Sequence, residues 1–150
     1  MSLALQVLVL PAVVVGAVVV PIDGEVIRRF DRPQCTYCPG HRGVTIDSRG
    51  GDEIVAVAGG VVSFAGEVGG RQYVVQSIAP GVRVTYGGVR AIALNVQQGL
   101  WADAGDVLAL ADEDTYLGVR VGDQYVEPLG FLGLGRVRLR GSAHVVVGSG

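Results

Sequence analysis

Glycine pairs punctuate the middle of this chain at Gly50-Gly51, Gly59-Gly60 and Gly69-Gly70, and the pieces between them are short and rich in valine. Runs of that length do not hold a helix in water, and β-branched residues suit a pleated, half-buried surface. The pairs therefore read as turns, and EIVAVA, VVSFAG and QYVVQSI as successive short strands. Pro80-Gly81 turns the chain into the alternating run VRVTYGGV, Gly99 and Gly105 divide VQQGLWADAGDVLAL into two strands, and Gly122-Asp123 is a hairpin turn in TYLGVRVGDQYVEP. Upstream, VTIDSRGG alternates, with Val44 and Ile46 on one face and Thr45 and Asp47 on the other. No stretch carries an amphipathic helical period. The expected fold class is all-β, a compact barrel-sandwich hybrid of short hairpins.

The first twenty residues have a different character. Residues 3–20 carry no charge and are interrupted only by Gln6, Pro11 and Gly16. A small-residue cleavage pattern lies at Val15-Gly16-Ala17, although no basic residue precedes the run. The run reads as a signal peptide, with a membrane anchor at residues 3–20 or a buried strand as the alternatives. The expected division is a leader or anchor over residues 1–20, one domain over 21–140 and a loose tail over 141–150. That places the domain outside the cytoplasm, secreted or associated with the cell envelope, where a disulfide is permitted.

Charge and composition exclude several functions. The net charge of −2 offers no basic face for nucleic acid. All twelve basic residues are arginine, so no mechanism that needs a lysine amine is available. Biotinyl and lipoyl carrier domains, which share this hairpin style, need such a lysine and are excluded with it. GEVGGR at 66–71 is not a phosphate loop, because no helix pattern follows it. Trp101 reads as a packing residue of the core or its rim.

The segment CTYCPGHRG, residues 35–43, holds both cysteines and one of only two histidines. Cys35, Cys38, His41 and Asp47 form one candidate metal set, since CxxC is a common zinc-binding fragment. The alternatives are a loop closed by Cys35–Cys38 or two free thiols. Asp47 lies two positions past Thr45, which along a strand means the same face and a displacement of ~6–7 Å.

The order of these pieces resembles the LytM/lysostaphin-type zinc peptidases, which cut peptide cross-bridges of bacterial cell walls. GHRGV at 40–44 is similar to the family's first metal motif, and GDEIVAVAGGVVSFAG at 51–66 to its most recognisable sheet segment. VRVTYGGV at 82–89, NVQQGLWADAGDVLAL at 95–110 and YLGVRVGDQYVEPLGFL at 116–132 resemble the following strand, the paired V-x-x-G turns and the closing strand pair. The likeness runs from Pro21 to about Leu139. It implies a zinc held by a His, an Asp four residues on and the second His of an HxH, with two further histidines assisting attack on the amide.

On this chain the resemblance puts His41 in the first ligand slot. Thr45 falls in the Asp slot, Asp114 to Tyr116 in the HxH, and Gly88 near the remaining histidine. Three ligands cannot be assembled this way from a sequence whose second histidine, His144, lies in the tail. Asp114 beside Tyr116 reads as polar residues on an open strand face, the alternative being a replacement acid/base pair. Arg42, Tyr86, Arg90 and Arg120 are candidates for a groove suited to anionic muropeptide. The resulting expectation is a degenerate, non-catalytic member without a cofactor, binding peptidoglycan or regulating a cell-wall hydrolase. One alternative is an active zinc endopeptidase rebuilt from His41, Asp47, Cys35 and Cys38. The other is a structural envelope domain without a ligand.

Overall fold

The computed structural model describes residues 16–134. In chain order these form β1 (Val26–Arg28), β2 (Val44–Ile46), β3 (Glu53–Val55), β4 (Gly60–Val68), β5 (Arg71–Ala79), β6 (Val82–Ile92), β7 (Trp101–Ala102), β8 (Val107–Val121), β9 (Gln124–Val126) and α1 (Pro128–Leu132). The nine strands make one antiparallel sheet in the order β1-β2-β8-β6-β5-β4-β7, with β3 and β9 also on β8. The all-β class and the turns at Gly50-Gly51 and Gly69-Gly70 follow the sequence reading, but Gly59-Gly60 is not a turn, because β3 already ends at Val55 and Gly60 opens β4. Gly69 and Gly70 both adopt positive φ, 61° and 84°, as a two-residue turn between twisted strands requires.

Two further elements depart from the sequence reading. Residues 107–121 run as one strand rather than two, because β8 continues through the exposed acidic run Asp112-Glu113-Asp114. One edge of β8 follows β6 along its length, and the other takes β3, β2 and β9 in turn. The second departure is α1, a single turn after the last strand. Pro128 starts it, Glu127 caps its amides through Leu129 and Gly130, and Gly133 ends it in the left-handed region at φ 79°.

Alternation decides what is buried. Val82, Val84 and Tyr86 of β6 and Leu117 and Val119 of β8 point into one apolar core with Ile46, Ile54, Val62, Val74 and Leu108. Val18, Val20 and Ile22 belong to the same core, and Val19 N–H donates to Val57 O at 2.9 Å. The folded unit therefore begins before Pro21. A membrane span drawn through residue 20 would have to withdraw Val18 and Val20 from it. Among the described residues no helix is long and apolar enough to cross a membrane. Residues 1–15 of the expected leader and the whole of the expected tail, 141–150 with His144, lie outside the described residues.

The sheet's far margin is β7, where Trp101 pairs with Val61 of β4. Its indole N–H donates to Asp103 at 2.8 Å, and its ring lies against Gly59, where a Cβ would stand 2.9 Å away. Trp101 is 63% exposed, so of the two packing roles expected for it the rim is the one it takes.

One polar chain crosses the core. Tyr86 is fully buried and was misplaced in the groove by the sequence reading; Thr85, one position earlier, faces the groove instead. The Tyr86 hydroxyl donates to Gln76 Oε1 at 2.8 Å and accepts from Val57 N–H at 3.0 Å. Gln76, also fully buried, donates from Nε2 to Ala58 O at 2.8 Å. Each buried polar atom in this relay is satisfied by the next, and burial holds the phenol's pKa well above the ordinary tyrosine range. Tyr86→Phe leaves the Val57 amide without its acceptor and Gln76 Oε1 without its donor. Urea unfolding should show a loss of about 2–3 kcal/mol with an unchanged m-value.

Candidate functional site

The groove is built where β6 and β8 fall out of step. Gly87 pairs with Tyr116 and Val89 with Ala111, so one residue of β6 faces the four residues 112–115 of β8. Gly88 occupies the gap at φ 72°, and a Cβ there would stand 2.0 Å from Asp114 O. Only glycine admits this bulge. The bulge turns Asp112 and Asp114 toward the same open groove as Gly88. Beneath it, Thr115 is fully buried and its hydroxyl is 2.9 Å from that of Ser48, which also donates to Glu113 O.

The opposite wall comes from β2 and the loop before it. Asp31 and His41 close that loop as an antiparallel bridge, with both N–H···O distances 2.9 Å. Thr45 pairs with Tyr116 across β2 and β8. Gly43 lets the Tyr116 ring approach, since a Cβ would be 2.7 Å from it and 2.3 Å from Leu117 O. His41 Nε2 is 3.0 Å from Thr45 Oγ1, and the His41 and Tyr116 rings meet edge to face at 5.7 Å. Thus His41, Thr45, Gly88, Asp114 and Tyr116 line one groove of about 880 Å³.

The other candidates distribute differently. Cys35 and Cys38 are joined in a disulfide, so neither offers a thiolate to a metal. Asp47 lies past the end of β2 and lines a separate depression with Asp23 and Asp52, away from the groove that His41 and Thr45 share. The four residues of the alternative metal set are not brought together. Among the described residues no three His, Cys, Asp or Glu side chains converge to hold a metal ion. Arg42, Arg90 and Arg120 do not line the groove either. Arg42 and Arg120 instead sit over the ring of Tyr125, at 5.7 and 5.8 Å, and Arg120 also pairs with Asp123 at 3.6 Å.

Arg28, Arg71, Tyr73 and Tyr125 do line it, and so does Glu67. Sequence reasoning passed over them. Alternation along β5, where Val74, Gln76 and Ile78 are buried, would have placed Tyr73 on the other face. Nothing local marked Arg28, which reaches the groove because β1 pairs with β2.

The zinc implied by the resemblance is tested by this donor set. A hydroxyl on Thr45 and a phenol on Tyr116 stand where a carboxylate and an imidazole are needed. Burial, the largest cause, pushes Tyr116 up to about 12, so the phenol is protonated at neutral pH. The residues gathered around His41 do not fit a three-ligand zinc centre. What they offer is hydrogen bonding, three aromatic faces and charges of both signs.

His41 titrates below its ordinary value, first because it is partly desolvated and second because Arg28 is near. The unfolded chain therefore takes up a proton on His41 before the folded one does. Between the folded value and about 6.5 stability rises with pH. NMR titration of the His41 ring should give a midpoint below 6.5, and Arg28→Gln should raise it only part of the way, since desolvation remains.

Comparison with known proteins agrees with this construction. Residues 39–126 match Peptidase family M23. An uncharacterized protein of Mycobacterium tuberculosis is 31% identical over 128 residues, covering 77% of this chain and 50% of that protein. The chain thus spans about half the length of the curated relatives it matches. In fold it is similar to Csd3 of Helicobacter pylori, with TM-score 0.67 and 17% identity over 89% of this chain and 38% of that one. It is also similar to the catalytic domain of lysostaphin from Staphylococcus simulans, with TM-score 0.60 and 16% identity over 73% and 92%. A chain of the SpoIIIAH and SpoIIQ complex matches with TM-score 0.64 and 14% identity over 74% and 96%. With the LytM-like sheet, the groove and the matching sequence in agreement, the chain belongs to Peptidase family M23.

Proposed function

We propose that this chain is a cell-envelope domain that uses the peptidase groove to bind wall peptide and does not itself hydrolyse it. The observation that carries the reading is the His41–Thr45 contact at 3.0 Å. It puts a hydroxyl on the ring nitrogen at the position where the resemblance calls for a metal-binding carboxylate. Asp114, Tyr116 and Gly88 complete the substitution around the same groove. Among the described residues His41 is the only imidazole, and it cannot serve both as zinc ligand and as the histidine that assists attack.

Binding survives such losses because it draws on other groups. Arg28 and Arg71 supply forked donors for carboxylates, Glu67 and Asp114 supply acceptors for amines, and Tyr73, Tyr116 and Tyr125 supply faces. A peptide carrying both free carboxylates and amines suits a groove of mixed charge. The leader-like run before Val18 supports an extracytoplasmic location. The competing reading, a rebuilt zinc centre, requires the disulfide to open and Asp47 to enter the groove.

Sedimentation with purified sacculi tests the proposal. The protein should pellet with them, and the Arg28→Ala/Arg71→Ala double variant should bind about tenfold more weakly, the scale of a lost charge-assisted hydrogen bond. Protein purified without chelator should carry far less than one zinc per chain. Absence of retention would sink the wall-binding reading. Stoichiometric zinc with peptide cleavage that His41→Ala abolishes would replace it by catalysis.

A further inference from the structure

The disulfide loop has no place in the binding reading, yet it is wired to the groove. Cys35–Cys38 closes a loop of four residues inside a larger one that the Asp31–His41 bridge already closes. The shorter the closed loop, the less chain entropy a disulfide removes, so this bond contributes little to holding the domain together. Its consequences are local. Cys38 N–H donates to Cys35 O at 3.1 Å, which folds the enclosed residues into a turn and aims the Thr36 carbonyl at Arg42. Arg42 donates to that carbonyl from Nη2 at 2.5 Å while its guanidinium lies over Tyr125. Tyr125 and His41, the chain neighbour of Arg42, both line the groove.

Cys35 is exposed, Cys38 is half-buried and Tyr37 between them is 95% exposed. Cys35 is therefore the more open of the two to an incoming thiolate, which makes Cys38 the leaving group.

We propose that Cys35–Cys38 is a thiol–disulfide exchange site, opened by a dithiol reductant, whose state sets the position of Arg42 over Tyr125 at the groove. One thiolate of the dithiol attacks Cys35 Sγ, the Cys35–Cys38 bond breaks, and Cys38 leaves as a thiolate that takes up a proton. The second thiolate of the reductant then attacks its own sulfur in the mixed disulfide and releases Cys35, which is protonated in turn. Two electrons and two protons pass to the protein and the dithiol becomes a cyclic disulfide. In the reduced state the turn at residues 35–38 is no longer enforced, the Thr36 carbonyl leaves Arg42, and the guanidinium is freed from one of its two anchors. The inference concerns a change of state at the groove and does not depend on what the groove binds.

The test uses the whole chain with dithiothreitol as the reductant and no wall material. Under native conditions alkylation should trap two new thiols while the far-ultraviolet circular dichroism is unchanged. The ring resonances of His41 and Tyr125 should shift on reduction and return on reoxidation. Cys35→Ser/Cys38→Ser should hold them at the reduced positions whatever the redox state of the buffer. Arg42→Gln, which keeps the disulfide, should lose most of the reduction-dependent shift. Thiols that appear only in denaturant would overturn the exchange site. Resonances that stay fixed on reduction, or that shift fully in Arg42→Gln, would overturn the link through Arg42. Failure to bind sacculi would leave both measurements standing.

Discussion

β8 is the strand on which the others depend, because both of its edges are in use. An antiparallel strand of fifteen residues with β6 along one side and β3, β2 and β9 along the other cannot move without breaking several ladders together. Its widest irregularity is the stretch opposite Gly88, where four residues answer one, and a smaller register shift follows between Val89 and Ala91. The in-step ladder from Val82 to Gly87 holds β6 and β8 in one register up to that point. The buried relay from Gln76 through Tyr86 to Val57 secures the neighbouring strands against the same core, and its polar atoms are paired in sequence.

The groove is a by-product of this arrangement. A bulge needs room, and the room it makes lies between β6, the acidic stretch of β8 and the loop that ends at His41. A family fold can therefore keep the cavity after its metal ligands change, since the cavity is made by backbone register and the chemistry by side chains that point into it. Thr45 and Tyr116 illustrate the separation. Their partnership across β2 and β8 is a backbone pairing, indifferent to whether the side chains are ligands.

Much of the architecture was legible in the sequence because glycine and valine act locally. The Gly69-Gly70 turn, the alternation of β5 and β6 and the absence of long helices among the described residues required no knowledge of distant residues. The resemblance brought His41, Thr45, Gly88, Asp114 and Tyr116 to one place, and the structure gathers all five. Misreadings arose where phase or distance decides. Tyr86 was one residue out of phase, a slip that moves a side chain from groove to core. Asp47 was judged by continuing a strand that ends at Ile46. Arg28 reaches the groove only because β1 pairs with β2 and β2 with β8, which no local pattern encodes.

The position of Trp101 has an optical consequence. It is the sole indole of the sequence, and it sits on β7 at the margin of the sheet, whereas Tyr73, Tyr116 and Tyr125 line the groove. Of the other two tyrosines, Tyr86 is sealed in the core and Tyr37 stands exposed on the disulfide loop. Emission from the indole reports on the seating of β7 against β4, and absorbance changes from the three groove phenols report on the groove. A ligand that fills the groove without disturbing the sheet margin would alter the second signal and leave the first quiet.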